Sequence, residues 1–382
     1  MIYLDNAATT RPFDEVIAEM ETAQKEYYAN PASMHLAGYE SEKKVNAAYD
    51  VAFSSIGAKN GTFLFTSGGT ESNNLAFFGT LKSALKRNVH IITTKIEHPS
   101  VLEPLAFLEN YGATVTYVGV DSRGFVNPDE VASAVTEKTA LVSVMYVNNE
   151  TGAIQPIGDI SKLVKARKKD VLFHTDCVQA FGNARIDVAK QGIDMLSLSA
   201  HKINGPKGVG GFYAAPGIHL TPAIFGGHQQ KNLRSGTLNT PGICGFHKAM
   251  EVTLENFDEK QIRLKALKAR LISALSENPL FTVNNIGDDY SPHIISISVK
   301  NVRAEVLLHA LEAHGICISA GSACASSHPE PSHVLTAMGF DKAKIEGTVR
   351  VSTGAFTTEE EIDSFCAHLI KEATLLSKFT RI

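Results

Sequence analysis

The sequence predicts an α/β fold: a large unit on a mainly parallel seven-stranded sheet, followed by a smaller C-terminal α+β unit. Three observations carry this. From about residue 60, short β-rich runs alternate with amphipathic helical stretches, the pattern of a parallel sheet covered on both faces. The 382 residues are 44% apolar and 20% charged, which suits a globular chain long enough for two units. After about residue 245 the order changes to a long helical region, then a second, smaller set of strands and helices.

The elements follow in order. Strands are expected at 62–66, 89–93, 114–118, 141–146, 171–176, 194–199 and 208–214, with amphipathic helices between most of them. A long helical region spans about 243–276. Strands near 281–283 and 294–299, a helix over 304–314, a strand near 318 and a strand at 348–352 complete the smaller unit. The last helix has a clear start, because Thr357-Thr358 followed by Glu360-Glu361 offers a capping box. Ile362, Phe365, Cys366, Leu369 and Ile370 then recur at helical spacing, which makes Cys366 a core residue. The large unit is expected over 13–245 and the small one over 246–382.

Composition excludes several classes. A formal net charge of −4 gives no reason to expect nucleic acid or an anionic membrane as partner. The start, Met1-Ile2-Tyr3-Leu4-Asp5-Asn6-Ala7-Ala8, lacks the basic and apolar regions of a secretory signal, and no apolar run approaches bilayer length. The five cysteines at 177, 244, 317, 324 and 366 are scattered, odd in number and form no C-x-x-C pair. Neither a metal site nor a disulfide framework is expected, and a reducing, cytoplasmic setting is. A special cysteine here should be special for its reactivity.

The chemistry concentrates at Ser197-Leu198-Ser199-Ala200-His201-Lys202, followed by Asn204-Gly205-Pro206-Lys207-Gly208. A lysine at a strand's end can sit at the mouth of an α/β sheet, where ligands bind. Its amine suits a covalent link to the aldehyde of pyridoxal phosphate; an ordinary surface lysine beside a turn is the alternative. That cofactor also needs an anion cradle, a carboxylate for its ring nitrogen and a group to hold the ring. The cradle candidate is Thr66-Ser67-Gly68-Gly69-Thr70-Glu71-Ser72-Asn73, between a strand and a helix. There the backbone of Gly69 and the helix N-terminus favour an anion and Thr70 adds a hydroxyl; a plain N-cap turn is the alternative.

The carboxylate candidate is Asp176, costly at the end of a buried strand unless paired, with a helix cap as the competing role. Gln179 is placed to hydrogen-bond a ring oxygen. His98, in Glu97-His98-Pro99, can stack on a ring and move protons, or be a loop residue. On the substrate side stand Asn149, in Asn148-Asn149-Glu150, and Arg350, a charge inside an apolar strand. Arg350 fits either a substrate carboxylate or a structural salt bridge. Finally, 319–332 is small, polar and breaker-rich, so Cys324 is expected on an exposed, mobile loop as a travelling nucleophile.

Taken together these segments resemble the cysteine desulfurases, in the class V aminotransferase group of fold type I pyridoxal-phosphate enzymes. The resemblance runs from Tyr3-Leu4-Asp5-Asn6-Ala7-Ala8 and Asn30-Pro31-Ala32-Ser33-Met34-His35 to Arg350-Val351-Ser352-Thr353-Gly354. It passes through Ser67–Asn74, Glu97–Pro99, Asn148–Glu150, His201–Gly208, Arg234-Ser235-Gly236-Thr237 and Gly321-Ser322-Ala323-Cys324. It implies that Lys202 carries the cofactor and moves protons, Asp176 pairs with the ring nitrogen, Gln179 with the ring oxygen, and His98 stacks.

Thr70, Ser199 and His201 would bind phosphate, joined by Thr237 from the other subunit of a homodimer. Asn149 and Arg350 would receive the carboxylate of L-cysteine. Cys324 would take the sulfur as a persulfide, release L-alanine and pass sulfur to an acceptor protein, an iron–sulfur scaffold or a tRNA-thiolation enzyme. Residues 1–12 are expected to join the small unit. A selenocysteine lyase or a class V aminotransferase on the same scaffold is the alternative. Two departures from the common pattern are Cys177, where relatives often have alanine, and Gly226-Gly227-His228-Gln229-Gln230.

Overall fold

Alternation of apolar residues builds the large sheet. The computed structural model describes residues 1–81, 88–320 and 331–379. Its strands are β1 (Ile2–Tyr3), β2 (Thr62–Thr66), β3 (His90–Thr94), β4 (Thr114–Val118), β5 (Thr139–Ser143), β6 (Leu172–Asp176), β7 (Met195–Ser199) and β8 (Gly210–Ala214). The second half holds β9 (Phe281–Val283), β10 (Ile294–Val299), β11 (Ile316–Cys317), β12 (Ser319–Ala320) and β13 (Thr348–Ser352). Seven of them pair in the order β2-β8-β7-β6-β5-β3-β4. Only β8 runs against its neighbours in that sheet, so the other six end at one edge.

Successive residues of one strand serve opposite faces. Phe63, Phe65, Ile92, Val142 and Leu196 enter one apolar cluster, while Leu64, Ile91, Leu141 and Met195 enter another. The first face is covered by helices Leu36–Ser55 and Thr240–Glu255, the second by Gly69–Leu81 and Pro99–Glu109. One glycine decides how the site is built on this sheet. A side chain on Gly210 would meet the Gly68 Cα and the Leu198 carbonyl at 2.6 Å, so β8 stays bare where the loop after β2 lies on it.

The smaller sheet has the order β12-β13-β10-β9, all antiparallel. Helices Phe257–Leu275, Ala304–Glu312 and Glu359–Leu376 pack Leu264, Leu267, Leu307, Phe365 and Leu369 against it. The capping box forms between Thr358 and Glu361, and Cys366 lies in the core. The single strand expected near 318 is split in two: β11 pairs with β1, and β12 with β13.

The helical region expected as one stretch is also two helices, meeting at Asn256. Ile243, Phe246, Ala249 and Met250 of the first belong to the large core, and the leucines of the second to the small one. The N-terminal segment bridges both parts, with Leu4 in the small core and Thr10 bonded to the His201 carbonyl at 2.9 Å. No helix among the described residues is long and apolar enough to cross a membrane.

Candidate active site

Parallel strands deliver their following residues to one edge of a sheet, and here that edge opens on a cavity of about 640 Å³. Gly69 and Thr70 after β2, His98 after β3, Asn149 after β5, Asp176 and Gln179 at and after β6, and Ser199, His201 and Lys202 at and after β7 all line it. Arg350 lines it from β13. These ten expected site residues are therefore brought together from six strands.

Lys202 ends a short turn after β7, and its Nζ donates to the carbonyls of Ala7 and Ala8 at 2.6 and 2.7 Å. The N-terminal segment thus aims the amine. Asp176 is buried and paired: Oδ2 accepts from Asn73 Nδ2 at 2.7 Å and Oδ1 from the Val178 N–H at 2.8 Å. His98 caps helix Pro99–Glu109, its Nδ1 accepting from the Ser100 N–H at 3.1 Å. Burial pushes its pKa below the ordinary histidine value, with nearby Asp176 opposing, so the ring is held toward its neutral form. His201 meets Thr9 Oγ1 at 3.1 Å, and burial, with Lys202 and Lys207 nearby, pushes its pKa down to about 4.

The salt bridge considered for Arg350 is present, and the residue also faces the cavity. Its Nη2 pairs with Asp5 Oδ1 and its Nη1 donates to the Asn149 carbonyl, each at 2.9 Å, while the guanidinium still lines the cavity. Gln179 donates to the Ala7 carbonyl at 2.8 Å. Glu71 does not reach the cavity; it accepts the Ser67 N–H and binds Arg234 through two contacts, which fastens the segment carrying Thr237 beside the cradle. Thr237 itself is exposed and lies outside this chain's cavity lining. Cys324 lies outside the described residues. The described chain stops at Ala320, beside Ser319, which pairs with Arg350, and resumes at Pro331, which lines the cavity.

Several participants escaped the sequence reading. Asn73 holds Asp176, and Ala7 and Ala8 hold Lys202 by backbone carbonyls that have no side-chain signature. Glu150 also lines the cavity, accepting from Ser332 Oγ at 2.5 Å. Burial pushes its carboxyl up to about 7 against the opposing pull of Ser332 and Arg350. His333 lines the cavity too, near the Glu97 carbonyl at 2.9 Å.

The residues fit pyridoxal phosphate. The Ser199 hydroxyl is buried at the cavity wall with no hydrogen-bond partner among the described residues, as expected of a group awaiting an anion. It lies near the cradle glycines, where a side chain on Gly69 would press to 2.6 Å from Val178 Cγ2. Lys202 would hold the cofactor covalently, Asp176 its ring nitrogen and Gln179 its ring oxygen, with Ser199, His201 and the Gly69–Thr70 turn on the phosphate.

Comparison with known proteins agrees. The aminotransferase class-V family matches residues 2–365. The cysteine desulfurase IscS of Dictyoglomus turgidum is 41% identical over 363 residues, 95% of this chain and 92% of that protein. The cysteine desulfurase IscS of Methanosarcina thermophila is 41% identical over 362 residues, 95% and 89% of the two chains. A solved structure described as a NifS-like protein superposes with a TM-score of 0.93 at 38% identity, covering 98% of this chain and 100% of that one.

Proposed function

The chain belongs to the aminotransferase class-V family, and from that premise we propose how its residues divide the work of a pyridoxal-phosphate-dependent cysteine desulfurase. The observation that carries the reading is one cavity lined by a lysine amine, a paired aspartate, an unpartnered serine hydroxyl and an arginine fork. The bound cofactor supplies an electron sink for the pair left when the α-proton of the substrate is removed.

The residues do the rest. Arg350 and Asn149 orient the carboxylate of L-cysteine. Lys202 takes the α-proton and returns it. Asp176, kept in place by Asn73, would present its carboxylate to the ring nitrogen, and neutral His98 would pack on the ring and exchange a proton through Nε2. The Cys324 thiolate attacks the substrate sulfur: an S–S bond forms, the C–S bond breaks with its electron pair left on the β-carbon, that carbon takes up the proton the substrate thiol gives up, L-alanine leaves and a persulfide remains on Cys324.

The sulfur goes on to an acceptor protein, which we read as an iron–sulfur scaffold or a tRNA-thiolation enzyme. The same reading takes the protein as a cytoplasmic homodimer in which the partner subunit's Thr237 completes the phosphate site. It also takes the chain as a large cofactor-binding unit and a small unit carrying Cys324. The join belongs at Asn256, because Phe246, Ala249 and Met250 pack with the large core.

The test is direct. The purified protein should be yellow, borohydride should trap an adduct on Lys202, and L-cysteine should yield L-alanine. Cys324→Ser should stop alanine release while leaving the coloured protein intact. Pyruvate in place of alanine would make the enzyme an aminotransferase, and strong preference for selenocysteine would make it a lyase.

A further inference from the structure

Outside the residues already given roles, one buried histidine stands out. His293 lies just before β10 and is 5% exposed. Its Nδ1 is 2.6 Å from Ser291 Oγ and its Nε2 3.3 Å from Gln179 Oε1. Gln179 Nε2 is 2.8 Å from the Ala7 carbonyl, the same oxygen that Lys202 Nζ reaches at 2.6 Å. A chain of polar contacts therefore runs from the small sheet's edge, through the site's amide, to the oxygen that aims the lysine.

The direction of each bond is forced. A carbonyl oxygen only accepts, so the Gln179 atom facing Ala7 is the amide nitrogen. Its Oε1 then faces His293, whose Nε2 must donate. A neutral ring that donates from Nε2 accepts at Nδ1, so the Ser291 hydroxyl donates there. The surroundings keep the ring neutral. Burial above all, then the charges of Lys260 and Lys268 of helix Phe257–Leu275, Arg350 of β13 and Lys202 of the turn after β7, hold its pKa well below the ordinary value. With Nε2 as the donor, His293 holds the Gln179 amide in one orientation, with its acceptor on the buried side and one N–H left for the cavity.

We propose that His293 is a positioning residue: it locks the Gln179 carboxamide, which presents its remaining N–H to the cavity and shares the Ala7 carbonyl with Lys202. The inference deepens the desulfurase reading and rests on it, because Gln179 and Lys202 act on the cofactor. It also joins two walls of the site. Ser291 and His293 lead into β10, whose Ile294 pairs with Ser352 two residues after Arg350.

The experiment compares wild type, His293→Ala, His293→Gln and Ser291→Ala as holoenzymes. It reads the pH midpoint of the bound cofactor's visible absorbance, kcat and KM for L-cysteine, and the thermal unfolding midpoint. His293→Ala should shift the absorbance midpoint by about half a unit or more and lower kcat about tenfold with little change in KM. His293→Gln, whose amide can donate to Gln179, should recover most of both. Ser291→Ala should move them the same way by less, and it carries the test alone if His293→Ala does not fold.

A thermal loss in His293→Ala with absorbance midpoint and kcat unchanged overturns the proposal, as does a glutamine variant no better than alanine. Wild-type protein that binds no cofactor, or releases no alanine, would instead sink the functional reading, so the two failures are told apart.

Discussion

Asn73 Nδ2 donates to Asp176 Oδ2 at 2.7 Å and to Ser100 Oγ at 2.8 Å. One buried amide thus ties the carboxylate at the end of β6 to the helix that His98 caps, so the two residues proposed for the ring nitrogen and the ring face share a support. Asn73→Ala removes the side-chain donor and leaves Asp176 the Val178 N–H. Affinity of the apoprotein for pyridoxal phosphate, measured by equilibrium titration, should fall about tenfold. Asn73→Asp, which sets a second carboxylate against the first, should do worse than alanine.

Arg350 shares its guanidinium among Asp5, Asn149 and the cavity. A lysine there keeps the charge and loses the fork. If Arg350 receives the substrate carboxylate as proposed, Arg350→Lys should lower kcat/KM for L-cysteine by roughly 10- to 100-fold, mainly through KM, because the charge-assisted fork is lost. An unchanged KM would leave Arg350 only its salt bridge.

Glu97 is fully buried, with Oε1 accepting from Thr94 Oγ1 and the Met145 N–H and Oε2 unpartnered among the described residues. Burial pushes its pKa to about 8, from an ordinary value of 4.5. In the unfolded chain the carboxyl ionises near 4.5. Its contribution to stability is therefore full below that pH and is lost as pH rises toward about 8. Glu97→Gln lacks that titration. Urea denaturation should show the wild type losing stability relative to the glutamine variant between pH 5 and pH 8; parallel curves would count against a buried protonated Glu97.

Ser332 caps helix His333–Ala337 through the Leu335 N–H and donates to Glu150 at the cavity wall. Ser332→Ala should cost about 1–2 kcal/mol from cap and hydrogen bond together. The Ser332 hydroxyl holds the Glu150 pKa down, so its loss raises that pKa further above about 7. The gap between wild type and variant should accordingly be wider at pH 8, where Glu150 is ionised in the wild type, than at pH 5, where it is protonated in both.

Much of the site was legible because its signals are local. Asp176 and Lys202 close or follow apolar runs, and such runs form the strands of a buried sheet; their ends had to lie at its edge. The glycines after β2 marked a turn, and the close approach of Gly68 to Gly210 shows why no side chain fits on Gly210. Other features had no local signal. Arg350 could be read as a salt bridge or as a ligand, and the salt bridge it forms had no local signal because Asp5 lies 345 residues away in sequence. His293, between a proline and a strand, has no local signal of its partner, because Gln179 reaches it from the large sheet.

Side-chain periodicity, turn chemistry and the run of motifs were enough to determine the α/β class, the strands of the large sheet, the family and many of the residues that line the cavity. They act between near neighbours in the chain, or through a recognisable order of residues. Tertiary structure alone decided which partners those groups keep: the Ala7 and Ala8 carbonyls for Lys202, Asn73 for Asp176, His293 for Gln179. A backbone carbonyl is the same in every residue, and a hydrogen bond's direction depends on what packs against it, so neither is written in the pattern of side chains.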